Sequence, residues 1–215
     1  MLIDIEGTDG CGKKTQTELL YKYLVGKGKK CLLISFPNYD SPSSALVKMF
    51  LGGEFGSSAN VIDSYQASAF YAVDRVATMA KINVNDYDYV IFDRYTPSNM
   101  IHQSARVQDQ NNLDGLLNWI DDFEFNKMRL PRPDKILFLD VPVEVSLALA
   151  NARKDLKNGQ AHDILEEDKN HMKLAYENAK YVAKKFGWQN IDCVEKGNLK
   201  SIEQIHKEIL TKLGF

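Results

Sequence analysis

The run Gly7-Thr8-Asp9-Gly10-Cys11-Gly12-Lys13-Lys14-Thr15 constrains this chain more than any other stretch. It follows a short apolar segment, Leu2-Ile3-Asp4-Ile5-Glu6, and precedes Leu19, Leu20, Tyr23 and Leu24 at helical spacing. Strand, glycine-rich turn and helix in that order make a phosphate-binding loop. Gly7 and Gly12 let the backbone curl so that successive N–H groups, backed by the helix's positive end, face one anion. Lys13 supplies a point charge for the outer phosphates of a nucleotide. The candidate phosphate-binding residues are therefore Gly7, Asp9, Gly10, Cys11, Gly12, Lys13, Lys14 and Thr15.

Lys14 departs from the motif, because the residue after the loop lysine ordinarily offers Mg²⁺ a hydroxyl. A charged ammonium cannot ligate a cation. At ~4 Å and an effective dielectric of ~20 it would oppose a dication by roughly 8 kcal/mol. Replacing one hydroxyl ligand by water costs only about 1–3 kcal/mol. The metal is therefore expected on water, phosphates and Thr15, with Lys14 turned outward or towards a phosphate oxygen.

At 215 residues, 44% hydrophobic and 26% charged, the chain has the composition of one soluble globular domain. A net charge of -2 provides no field for nucleic acid or an anionic membrane, so neither is expected as a partner. Cys11, Cys31 and Cys193 are too scattered for a disulfide framework or a zinc cluster and suit a reducing cytoplasm. Cys11 is expected to be a small residue that fits the loop rather than a reactive thiol. No charged leader or membrane-length apolar run is apparent, so neither a removed signal nor a span is expected.

Further apolar runs read as strands at Cys31–Phe36, Tyr89–Phe92, Ile136–Leu139 and Ile191–Val194. A long helix is expected over Asp63–Ile82, with Tyr65, Ala69, Ala72, Val76 and Met79 as its core stripe and Arg75 four residues beyond Tyr71 on one face. Helical spacing also runs from Ser98 to Gln103 and from Leu113 to Phe125, where Trp119 reads as core, and again from Val143 to Arg153. Asp163 with Glu166, and Ser201 with Gln204, read as capping boxes of two later helices. The fold class is α/β: a P-loop NTPase with a five-stranded parallel sheet, helices on both faces, and a short polar lid at about 153–163 within one domain spanning 1–215. Asp93, leaving a buried strand beside the loop, is a candidate to orient Mg²⁺ or its water shell, and Arg94 to face the phosphates.

With those residues in place the chain resembles thymidylate kinases of the nucleoside monophosphate kinase group over nearly its whole length. The likeness rests on Glu6 to Lys13, Phe36-Pro37, Phe70-Tyr71-Ala72-Val73-Asp74-Arg75, Asp93-Arg94-Tyr95-Thr96-Pro97-Ser98 and, more weakly, Leu139-Asp140-Val141-Pro142. The resemblance implies ATP-dependent phosphorylation of thymidine monophosphate to the diphosphate, with Mg²⁺, by a homodimer. It assigns Lys13 to the donor phosphates, Asp9 to the acceptor sugar and Arg94 to the acceptor phosphate. Tyr71 would stack on thymine and Arg75 would bond its carbonyl edge, with Ser98 and Gln103 along the base pocket and Phe36 and Pro37 also at the acceptor site. Gly10 stands where some relatives place a catalytic arginine, which makes Arg153 in the lid the leading candidate for that role, with Lys154 and Lys157 behind it. Ser35, Asn38 and Tyr39 stand where an arginine is often found beside Phe36-Pro37, and His102 where an aromatic is usual. Two alternatives remain open at this point: a kinase for another deoxynucleoside or its monophosphate, and a non-catalytic nucleotide-binding module.

Overall fold

The computed structural model describes residues 1–56, 61–107, 109–154 and 169–215. Strands β1 (Leu2–Glu6), β2 (Cys31–Ser35), β3 (Tyr89–Asp93), β4 (Lys135–Asp140) and β5 (Gln189–Asp192) form one parallel sheet in the order β2-β3-β1-β4-β5. β1 is central, with Ile3 opposite Ile91 on one side and Lys135 on the other. Alternation along β1 divides the molecule. Ile3 and Ile5 pack with Leu20 and Leu24 of α1 (Lys13–Gly26), and with Ile205 and Ile209 of the C-terminal helix (Ile202–Leu213). Asp4 and Glu6 point the other way, towards the helices that build the site.

The remaining helices are, in chain order, α2 (Ala45–Leu51), α3 (Ser64–Met79), α4 (Thr96–Ser104), α5 (Gln110–Asp121) with a π-helical continuation over Asp122–Lys127, α6 (Val143–Lys154) and α7 (Lys169–Lys185). The C-terminal helix is α8, and its capping box of Ser201 and Gln204 is formed as expected. The other expected box, Asp163 with Glu166, lies outside the described residues. α3 has an unforeseen capping box of its own, Asp63 with Gln66.

Two expectations are corrected. The core stripe of α3 is rotated: its buried residues are Ala67, Ser68, Ala72, Asp74, Arg75, Thr78 and Met79, whereas Tyr65 is 43% exposed. The inward face carries polar side chains that are hydrogen-bonded within the protein, which an apolar pattern cannot register. The fifth strand stops at Asp192; Val194–Glu195 instead pairs antiparallel with Asn198–Leu199, turning through Lys196 (φ 51) and Gly197 (φ 81). Two consecutive positive φ values are what a tight hairpin needs. Trp119 is half-buried, stacked 4.7 Å from Phe123 and edge-on to Tyr65.

Asp4 is fully buried, and neither carboxyl oxygen has a hydrogen-bond partner among the described residues. Burial first, then the neighbouring Glu6 and Asp93, pushes its pKa well above the ordinary range. Above about pH 4 the unfolded chain loses this proton while the native chain keeps it, so stability falls as pH rises, by up to ~1.4 kcal/mol per unit. Asp4→Asn removes the titration. The variant is expected to exceed the parent in urea midpoint at pH 8, with the advantage shrinking towards pH 5; a gap independent of pH would refute the assignment.

Candidate active site

The phosphate loop joins β1 to α1 through glycines at φ 153 (Gly7), 81 (Gly10) and 98 (Gly12). A Cβ on Gly7 would stand 2.6 Å from Cys11 Sγ and 3.0 Å from the Leu139 carbonyl oxygen, so only glycine fits this turn. Gly12 caps α1 without a side-chain hydrogen bond, leaving the first-turn N–H groups of Lys13, Lys14 and Thr15 for an anion. Lys13 is buried, and its Nζ donates to the Gly7 and Thr8 carbonyls at 2.7 Å each. Lys14 is exposed and Thr15 half-buried, an arrangement that keeps the extra charge on the solvent side. Burial pushes the Cys11 thiol up despite Lys13 and Arg94, consistent with a packing residue.

Opposite the loop, β3 ends in Asp93, and Arg94 takes the left-handed conformation at φ 68. Its guanidinium is ion-paired with Asp9 and donates through Nη1 to Ser98 Oγ at 3.3 Å and His102 Nε2 at 3.1 Å. A guanidinium only donates, so His102 Nε2 accepts and its proton sits on Nδ1. Burial opposes ionisation of Asp9, yet Arg94 and Lys13 hold its carboxyl far below the usual range. Burial likewise opposes the charge on Arg94, but Asp9, Glu6 and Asp93 keep it protonated. Glu6, fully buried, accepts from the Tyr95 N–H at 2.9 Å and Ser98 Oγ at 2.7 Å. Ser98, expected along the base pocket, thus faces Glu6 and Arg94.

On the neighbouring helices, Arg75 is 2% exposed and engages Glu124 by two parallel hydrogen bonds, Nε to Oε2 at 2.6 Å and Nη2 to Oε1 at 2.5 Å. The edge expected to read a base is therefore partly committed within the protein, with Nη1 outside that fork. Tyr71, one turn before, is half-buried against the Val47, Phe50 and Leu51 cluster of α2. Asp74 accepts from the Asn38 N–H at 2.7 Å and Ser43 Oγ at 2.6 Å, which ties the loop after β2 to α3. Phe36 and Pro37 begin that loop; Phe36 packs 5.7 Å from the Tyr95 ring. Gln103 is buried, with Oε1 accepting from Arg106 at 2.5 Å. Sequence reasoning gave no role to Glu6, Asp74, Asn99 or Glu124. Glu6 and Asp74 stand inside motifs already singled out, whereas Glu124 lies in an ordinary amphipathic run with no local signal.

No group of three or more acidic, His or Cys side chains that could hold a metal occurs among the described residues. A carboxylate at Asp93 and a hydroxyl at Thr15 nevertheless fit Mg²⁺, which keeps several waters and leans on substrate phosphates. Asp93 Oδ2 accepts from Ser35 Oγ at 3.3 Å. Arg153 and Lys154 close α6, while Lys157 and the rest of the expected lid from residue 155 to 163 lie outside the described residues.

A phosphate loop under an arginine held by a loop carboxylate, at the carboxyl edge of a parallel sheet, defines a phosphate-loop kinase. The family model for thymidylate kinase matches residues 5–209. Thymidylate kinase of Mycobacterium tuberculosis is 33% identical over 171 residues, 78% of each chain. Probable thymidylate kinase of Pyrococcus horikoshii is 33% identical over 216 residues, 97% of this chain and 93% of the relative. The chain belongs to the thymidylate kinase family. Among solved structures, thymidylate kinase from Candida albicans superposes with a TM-score of 0.71 at 22% identity, covering 99% of this chain and 90% of that one. Deoxyadenosine kinase from M. mycoides does so at 0.64 and 17% identity, covering 99% and 98%. These two likenesses concern the fold.

Burial and the neighbouring Arg94 push His102 down to about 3, with Asp9 opposing. Between pH 6.5 and about 3 the unfolded chain binds a proton at His102 that the native chain does not, so stability falls as pH falls, by about 2 kcal/mol between pH 6.5 and 5. His102→Asn should flatten that part of the acid slope in urea midpoints measured at pH 7, 6 and 5. An unchanged slope would show that His102 titrates normally.

Proposed function

We propose that the protein transfers the γ-phosphoryl group of ATP to thymidine monophosphate, giving ADP and thymidine diphosphate. The observation that carries this reading is Arg94, ion-paired with Asp9 of the phosphate loop and aimed across it from the end of β3. A cation so placed can hold an acceptor phosphate beside the donor phosphates of the loop. An oxygen of the acceptor phosphate attacks the γ-phosphorus, and the bond to the bridging oxygen of ADP breaks. Lys13 holds the donor phosphates, Arg94 orients the attacking group, and Asp9 fixes Arg94 and meets the acceptor sugar; positioning and charge neutralisation supply most of such catalysis. Tyr71 stacks on the base and Arg75 meets its carbonyl edge, with Phe36, Pro37, Ser98 and Gln103 around the acceptor. Thr15 and Asp93 would hold Mg²⁺ largely through water beside the substrate phosphates, where the ion would supply neutralisation of the charge developing during transfer.

The same reading includes a single domain with a lid at about 153–163, a homodimer and a cytoplasmic setting. Exposed Tyr65 and Val73 on α3 leave apolar surface for a second copy, and the three free cysteines suit a reducing compartment.

The direct test is conversion of thymidine monophosphate to diphosphate by the purified protein with ATP, with and without Mg²⁺. Turnover is expected only with the metal; ATP binding without product under either condition would sink the kinase reading. Because Gly10 cannot supply a cation, Arg153→Ala is expected to lower kcat by about 10³-fold. Wild-type turnover in that variant would remove Arg153 from the mechanism.

A further inference from the structure

Glu124 projects from the π-helical stretch after α5, an irregularity that recurs at functional sites. It is fully buried. Its Oε2 accepts from Arg75 Nε at 2.6 Å and Thr96 Oγ1 at 2.8 Å, and its Oε1 from Arg75 Nη2 at 2.5 Å and Asn99 Nδ2 at 2.9 Å. Every neighbour donates, so only a carboxylate satisfies the position. A glutamine would set an NH₂ donor against an Arg75 N–H at whichever end it occupied. The same geometry fixes Asn99, whose Nδ2 lies between two acceptors, Glu124 Oε1 and the Ser68 carbonyl at 3.2 Å. The amide cannot turn over, and its Oδ1 is a buried acceptor with no partner among the described residues.

We propose that Glu124 is a positioning residue that sets the base preference of the acceptor site by locking Arg75 as a donor and Asn99 Oδ1 as an acceptor. The inference rests on the reading above that Arg75 meets the base. A donor on Arg75 and an acceptor on Asn99, both tied to Glu124 Oε1, match a carbonyl next to a ring N–H, the edge of thymine or uracil. Cytosine presents an amino group next to a bare ring nitrogen and is mismatched at both positions. Hydrogen-bond mismatches in a dry pocket discriminate far more strongly than shape, since they leave buried groups unpaired. Glu124 need not touch the nucleotide to impose this.

The test compares thymidine and deoxycytidine monophosphates as acceptors for the wild type, Glu124→Gln and Glu124→Asp. Glu124→Gln is expected to raise KM for thymidine monophosphate at least about tenfold, leave KM for ATP within about twofold, and narrow the thymidine-to-cytidine ratio of kcat/KM about tenfold or more. Glu124→Asp, which keeps the charge and retracts it by one methylene, is expected to recover part of that ratio. An unchanged ratio in a folded Glu124→Gln, or a parallel rise of both KM values, would overturn the inference and leave a structural ion pair. Should that variant fail to fold, Asn99→Ala removes the acceptor that Glu124 is argued to lock, and a ratio identical to wild type would overturn the inference equally. A wild type inactive on thymidine monophosphate would instead remove the functional reading on which the inference stands.

Discussion

The site depends on one buried carboxylate, Glu6, at the carboxyl end of the central strand. By accepting from the Tyr95 N–H and the Ser98 hydroxyl it ties the phosphate-loop strand to the turn between β3 and α4. That turn contains Arg94 in a left-handed conformation, which costs a residue with a side chain on the order of 1–3 kcal/mol and persists only where surrounding contacts over-determine it. Glu6, Asp9, Ser98 and His102 supply those contacts. The bridge adds to the Asp9–Arg94 ion pair and to the β1–β3 pairing, with Ile5 opposite Asp93, in fixing the two loops that carry the charges of the site.

The two faces of the sheet therefore do different work. Ile3 and Ile5 bury apolar surface against α1 and α8, the ordinary source of stability. Asp4 and Glu6 spend the opposite face on polar groups that must be neutralised, protonated or hydrogen-bonded before they can be buried. Glu6 meets this with donors. Asp4 meets it by keeping its proton. Replacing such groups by hydrocarbon would stabilise the fold and abolish the frame that holds Arg94, so the destabilisation is tied to the site.

Legibility in the sequence follows from range. The phosphate loop, the strands and the C-terminal capping box are local patterns, and each could be read from a few adjacent letters. The motif from Phe70 to Arg75 announced a functional helix but not its orientation, because Asp74, Arg75 and Thr78 are buried by partners that lie far away in sequence. Arg75 finds Glu124 across 49 positions, and Arg94 finds Asp9 across 85. Nothing in the letters around Glu124 distinguishes it from a solvated residue of an amphipathic helix. The hairpin after β5 was missed for the reverse reason: the turn at Lys196-Gly197 is local, but two paired residues on each side are too short a run for alternation to mark as strands.

Exposure separates the two charge clusters. Where Arg94 pairs with Asp9 the side chains remain 24% and 20% exposed; where Arg75 pairs with Glu124 they are 3% and 0%. Charge in the wetter region is partly screened and can be approached by a mobile substrate phosphate or by a further cation. Hydrogen bonds in the dry region are unforgiving, since a mismatched partner there has no water to replace it. On the proposed reading, discrimination between bases falls to the region built on α3, α4 and the π-helical stretch, and charge neutralisation to the loops at the sheet edge. Lys14 fits this division: exposed on α1, it adds its positive charge on the solvent side. A Mg²⁺ ion bound with the nucleotide would not need a hydroxyl at this position, since such ions keep several waters and lean on substrate phosphates.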